Sequence, residues 1–412
     1  MGWCIGSVYR GQFEEWVVRV ASYFIHRLKI ANFKSIDSLV LENVQPFSVF
    51  AGANGCGKSN FFDALNFVSL FVRNGIHDAL RKYGGYGHLH SQKRRKSKVR
   101  CFDFEIDISL QDHGNSVRFK YILSIDELDK NNPLISEDLY FDSELSLRRI
   151  ENKYPSMLQN YKDGKFNSIS VEGAYGCLEA KNFPVDYSAL LLFSETPIAQ
   201  FLKNLRLYRI DPISSKEPNG SDQDPNILNS KGDNLASVLG RLEGGEKFRG
   251  IILEWMETIV PGIEKINTER QKLDSKTAIL FKELGTRRQF PANMVSDGTI
   301  YALCLLVAVI DSPEYGLTLI EEPERGLHPK AINELVSLIR EYSKPESAIW
   351  LSTHSEAVVR ALQLEELWLV DKQEGKTRML NAIEQGLTDE DLAPLGLDKA
   401  WLSNLLNGGL PW

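Results

Sequence analysis

The sequence is poor in cysteine: Cys4, Cys56, Cys101, Cys177 and Cys304 in 412 residues, with no C-x-x-C pair. That scatter excludes a disulfide framework and points to a reduced, cytoplasmic setting. No apolar run reaches the roughly 18 residues that a bilayer crossing needs, so no membrane partner is expected. Sustained heptads and internal repeats are missing too, which excludes a long coiled coil. Positive charge is not in excess. With 48 Lys and Arg against 55 Asp and Glu, the net charge is −7, so any nucleic-acid surface must be local. Glu14 and Glu15 interrupt the first apolar stretch, against a secretory leader, and Gly6 stands where myristoylation wants Ser or Thr. Residues 1–24 are expected to be a helical extension or an overlong start.

At 43% hydrophobic and 25% charged, the chain has the composition of a soluble globular protein with two or three domain-sized units. Alternation predicts two strands around a turn at 24–44 and a hairpin at 101–110 and 117–125. Residues 81–100 hold eight Lys or Arg. The usual meaning of such a run is a solvated loop, but it is also a candidate contact for DNA or RNA. Short strands and loops are expected over 126–200, a strand over 205–211 and helices over 234–260. From 278 onward, strand candidates at 317–321, 348–352 and 367–371 alternate with helical patterns at 296–311 and 329–343. That alternation predicts an α/β fold with a parallel core sheet.

Gly52 to Ser59, GANGCGKS, fits G-x-x-x-x-G-K-[ST] between a strand and a helix. Glycines let backbone N–H groups curl around phosphates, and the helix start adds positive potential. Asn54, Gly55, Cys56, Gly57, Lys58, Ser59 and Asn60 are therefore the candidate ATP-binding residues. Lys58 would reach the β- and γ-phosphates, and Ser59 would ligate Mg²⁺. A second stretch, LTLIEEPERGLHP (317–329), drives an apolar strand into Glu321, Glu322 and Glu324. Clustered carboxylates repel each other unless a cation is near. Beside a P-loop, Glu321 falls near the metal and Glu322 is the candidate base for the attacking water. A plain solvated strand end is the alternative.

Two further pieces follow in order. Val295-Ser296-Asp297-Gly298-Thr299 opens an apolar helix, and Ser352-Thr353-His354-Ser355 ends the next strand. With IANFKSI, LNSKGDNLASVL and LDKAWLSNLLNGG, these pieces resemble the ABC-type ATPases of the SMC/RecF group, in particular stand-alone bacterial ATPases with an SDGT signature. The matches spread over residues 28–409.

The resemblance implies a P-loop ATPase head with an antiparallel β lobe and a mainly helical insertion. The expected divisions are 1–24, 25–125, 126–290 for the insertion, and 291–412. It implies that Ser296 and the N–H of Gly298 meet the γ-phosphate held by another copy of the chain, and that His354 contacts the γ-phosphate or the water. It also implies that Glu324 to Pro329 cross the dimer. Partners implied are the chain itself and an effector such as a nuclease, in anti-phage defence or DNA repair. The motor of a membrane transporter is the alternative. A nuclease domain of its own is disfavoured, because only residues 355–412 follow His354. Two departures stand out. Glu321 replaces the usual Asp, and no glutamine for the metal shell is evident beyond Gln92.

Overall fold

The structure, a computed structural model, describes residues 22–89, 101–112, 115–129, 132–153, 156–157, 160–162, 165–167, 178–179, 183–220, 226–271 and 275–409. Residues 1–21 of the expected extension, and residues 90–100 of the basic run with Gln92, lie outside the described residues.

In chain order come strands β1 (Ser22–Phe33), β2 (Ile36–Val44) and β3 (Phe47–Ala51), then helices α1 (Lys58–Asn74) and α2 (Ile76–Lys82). Strands β4 (Phe102–Asp112), β5 (Asn115–Asp129), β6 (Asn132–Phe141) and β7 (Glu144–Arg149) follow. After α3 (Pro197–Lys203) come β8 (Leu205–Tyr208), α4 (Leu235–Leu242), α5 (Glu246–Ile259), and the strands β9 (Ile263–Arg270), β10 (Thr277–Glu283) and β11 (Phe290–Pro291). The remainder is α6 (Asp297–Ile310), β12 (Gly316–Glu321), α7 (Pro329–Tyr342), β13 (Ser347–Thr353), α8 (Glu356–Arg360), β14 (Leu367–Gln373), β15 (Lys376–Asn381) and α9 (Leu397–Leu402).

The central sheet has the order β8-β12-β13-β3-β14-β15, parallel except for β15. Its parallel strands are largely buried on both faces, which is why they read as continuous apolar runs rather than as alternations. Successive residues feed two different cores. Phe47, Val49, Ile320, Ile349 and Leu351 join α6 and α7 on one side. Phe50, Leu317, Leu319 and Trp350 join α1 and the antiparallel lobe on the other. That lobe runs β7-β6-β5-β4-β1-β2, extended beyond β7 by the short strands Ser156–Met157 and Leu178–Glu179. Helix α1 is sandwiched between the sheets, so Phe61, Phe62, Phe67, Phe71 and Val72 are all buried around it. This pins the start of α1, and with it the P-loop, at the carboxyl ends of β3 and β13.

The expected insertion, 126–290, holds helices α3, α4 and α5. It also supplies strands. Its first part completes the antiparallel lobe, and β8 pairs with β12 inside the central sheet. Strand β8 is the one expected over 205–211, here four residues long. Of the basic run, residues 81–89 are anchored rather than wholly solvated, with Tyr86 and Leu89 buried and the Tyr86 hydroxyl donating to the Ile125 carbonyl at 2.9 Å. No described helix is long and apolar enough to cross a membrane.

Candidate active site

The P-loop is braced from behind by β15 and the β1–β2 turn. Thr377 donates from its hydroxyl to the Cys56 carbonyl at 2.9 Å and shares a 2.7 Å bond with the Ser35 hydroxyl. Asn60 donates to Ser35 at 2.6 Å, so its side chain holds the loop rather than standing free for a ligand. Lys372 donates to the Gly55 carbonyl at 3.0 Å. Gly57 has φ 117°, and a Cβ there would lie 2.0 Å from the Thr377 hydroxyl. Gly52 is equally crowded: a Cβ there would lie 2.1 Å from the Val370 carbonyl oxygen. Lys58 is buried and donates to the Gly52 and Ala53 carbonyls at 2.7 and 3.0 Å. A phosphate entering the loop would exchange these neutral acceptors for charged ones.

Gly57→Ala is accordingly expected to destabilise the chain by about 1–3 kcal/mol and to abolish ATP binding. Thr377→Ala beside it would remove the hydroxyl clash but leave the residue 377 Cβ at 2.9 Å and the backbone strain in place. Calorimetric ATP titration checks this, and unchanged affinity in Gly57→Ala would disprove it.

The metal candidates meet. Ser59 donates from its hydroxyl to Glu321 Oε2 at 3.2 Å, although 262 residues separate them. The other oxygen of Glu321 takes Arg209 at 2.7 Å. Burial works against the charged form of Arg209, yet its bonds and charge pairing with Glu321 and Asp63 hold its pKa above the ordinary value.

One residue on, Glu322 sits in the left-handed region at φ 51°, which is rare for a residue with a side chain. Two bonds hold it there. Its N–H donates to the Ser352 carbonyl at 2.8 Å, and its carbonyl accepts from the Tyr301 hydroxyl at 2.6 Å. Its half-exposed carboxylate lies 3.4 Å from His354 Nδ1. The candidate base and the candidate switch histidine are thus side by side.

Ser296 and Gly298 make no hydrogen bond to this cluster among the described residues. Ser296 is exposed and caps its own helix, accepting from the Thr299 N–H at 3.1 Å. A Cβ on Gly298 would be 2.5 Å from the Gly326 carbonyl, so the start of α6 rests on the loop after Glu322. Asp297, exposed, pairs with Lys216.

In the 324–329 loop, Glu324 turns inward. It accepts from the Thr353 hydroxyl at 2.6 Å, and burial raises its pKa despite that bond. His328 caps α7 by accepting from the Lys330 N–H at 3.2 Å. Both thus make local contacts within the chain.

Residues 47–168 and 194–360 match the family described as "AAA domain, putative AbiEii toxin, Type IV TA system". The chain belongs to this family. Among solved structures it is similar to an SMC head bound to the C-winged helix domain of ScpA, with TM-score 0.53 and 13% identity over 87% of this chain and 97% of that one. It is also similar to an Smc head with an extended coiled coil, bound to the C-terminal domain of ScpA and derived from Pyrococcus furiosus. There the TM-score is 0.51 and the identity 12%, over 90% of this chain and 98% of that one. These likenesses are of fold, and they bear out the SMC-head-like α/β fold expected from the motifs. No curated protein matches the chain.

For an AAA family member, the donor set at 59 and 321 suits magnesium. A hydroxyl and a carboxylate, both hard oxygen donors, already touch at the strand end. Sequence reasoning missed Arg209, Tyr301, Thr377 and Ser35. Of these, Arg209 lies within the strand candidate at 205–211 and Ser35 within the IANFKSI stretch, but neither position by itself marked a site.

Proposed function

We propose that the chain is an ATP-binding and hydrolysing switch whose sites are shared between copies of itself. The observation that carries this reading is the Glu322–His354 pair beside the Ser59–Glu321 contact, all at the mouth of the P-loop. In this reading Lys58 and the loop N–H groups grip the β- and γ-phosphates. Magnesium, when bound at Ser59 and Glu321, would supply charge neutralisation on the phosphate oxygens. Glu322 orients a water and accepts its proton. His354, 3.4 Å from that carboxylate, holds the water or the γ-phosphate in line. Phosphoryl transfer needs positioning and electrostatics more than covalent chemistry, and this cluster offers both.

Sharing between copies rests on the start of α6. Ser296 and Asp297 are exposed, and Met294 just before them is 72% exposed. The N-terminus of this 14-residue helix aims a positive dipole outward. The expected partners are therefore a second copy, in a dimer or larger oligomer, and an effector such as a nuclease. The family description, with its toxin and TA system, supports a role in bacterial defence over one in DNA repair.

Ser296→Arg tests the shared site. It places a bulky cation at the helix start without touching the P-loop. Hydrolysis should fall about 100-fold, the typical effect of losing a transition-state donor. ATP binding by the monomer should not change. Normal turnover in this variant would mean that each chain works alone.

A further inference from the structure

Arg209 directly follows β8, whose Tyr208 pairs with Ile320 in the neighbouring strand β12. The residue after Tyr208 is therefore level with Glu321. Arg209 Nη2 lies 2.7 Å from Glu321 Oε1 and 2.7 Å from Asp63 Oδ1. Asp63 is on α1, one turn beyond Ser59, and its side chain is 8% exposed. Its second oxygen is 2.5 Å from Lys34 Nζ, and the second oxygen of Glu321 takes the Ser59 hydroxyl. Two carboxylates and two protein cations thus sum to zero charge around Ser59. Take away the guanidinium and the same place holds a hydroxyl, two carboxylates and a net charge of about −1, a set of hard oxygens that attracts divalent ions.

We propose that Arg209 is a built-in counter-cation that keeps a divalent ion out of the Ser59–Glu321 site until a nucleotide arrives with it. The proposal rests on reading Ser59 and Glu321 as the metal-binding pair. A 2+ ion alone meets a site with no net negative charge and an arginine already bonded to its carboxylate ligand. A triphosphate brings the missing negative charge, and its phosphates offer Arg209 a second anion. Metal and nucleotide then enter together, and the empty chain is not locked by metal. Arg209 acts through Glu321, so it is a positioning residue rather than a catalytic one.

The experiment is Mn²⁺ binding to the nucleotide-free protein, read from the free-ion electron paramagnetic resonance signal. Wild type should bind Mn²⁺ weakly. Arg209→Gln should bind it roughly tenfold more tightly, the size expected for removing one charge about 5 Å from a divalent ion in a watery site. Arg209→Lys should stay near wild type, and Arg209→Gln combined with Glu321→Gln should lose the gain. Equal affinity in wild type and Arg209→Gln overturns the proposal. Tight Mn²⁺ binding by nucleotide-free wild type overturns it without any variant. Metal-free ATP binding on the same samples separates two failures. If wild type binds no ATP, the nucleotide-site reading falls. If it binds ATP normally while Mn²⁺ affinity ignores Arg209, only the counter-cation role falls.

Discussion

Glu322→Gln should retain ATP binding and lose about 10²–10⁴-fold in hydrolysis, accumulating an ATP-bound oligomer. The carboxamide matches the carboxylate in size and still orients a water, but it accepts no proton. The backbone that presents residue 322 should be untouched, because its left-handed turn is held through its own N–H and carbonyl, by the Ser352 carbonyl and the Tyr301 hydroxyl. The melting temperature should therefore stay near that of wild type. His354→Ala makes the useful comparison. It removes the neighbour 3.4 Å away but leaves the base, so its loss should be smaller than that of Glu322→Gln. Phosphate release at the wild-type rate by Glu322→Gln would remove Glu322 from the chemistry. A large drop in melting temperature would show that the side chain serves the fold instead.

How much of this site is legible in the sequence depends on how far apart the touching residues are. Gly52 to Ser59 is legible because strand, turn and helix lie within one short stretch, and the fold keeps them in that order. Strands β3, β12 and β13 are legible as apolar runs because both their faces are covered. Contacts made across the sheet are not. Arg209 touches Glu321 over 112 residues, and Thr377 touches Ser35 over 342. Neither has a spacing to read. Tyr301 looks like one more large residue in an all-apolar helix, and only the fold shows its hydroxyl under the Glu321–Glu322 peptide. Glu324 misleads in the other direction. Beside two acids in an exposed-looking loop it reads as solvated, yet it turns under β13 to hold Thr353.

The antiparallel lobe yields the largest expected effect on stability. Arg149 and Glu137 form an ion pair at 3.2 Å with both side chains 0% exposed. Glu137 also accepts from the Tyr121 and Ser188 hydroxyls and from the Ala189 N–H, while Arg149 donates to the Val185 and Tyr187 carbonyls. Burial, with the Glu137 charge beside it, pushes the Tyr121 phenol well above its ordinary pKa, so it remains a donor at neutral pH. This network fastens residues 185–189 to the lobe. Asp186 in turn accepts from the Ile76 N–H at 2.8 Å, where α2 follows the P-loop helix. Arg149→Met would strand a buried carboxylate and two carbonyls at once. The expected loss is about 3–5 kcal/mol, read as the shift in a urea unfolding midpoint. An isolated buried pair exchanged for apolar residues often costs nothing, so Arg149→Met with Glu137→Leu is the discriminating variant. Here Tyr121, Ser188 and Ala189 would lose their acceptor in the double variant, so stability should recover only in part. Full recovery would mean that the pair stands alone energetically. A loss below about 1 kcal/mol in Arg149→Met would mean that solvent reaches Glu137 and relieves it.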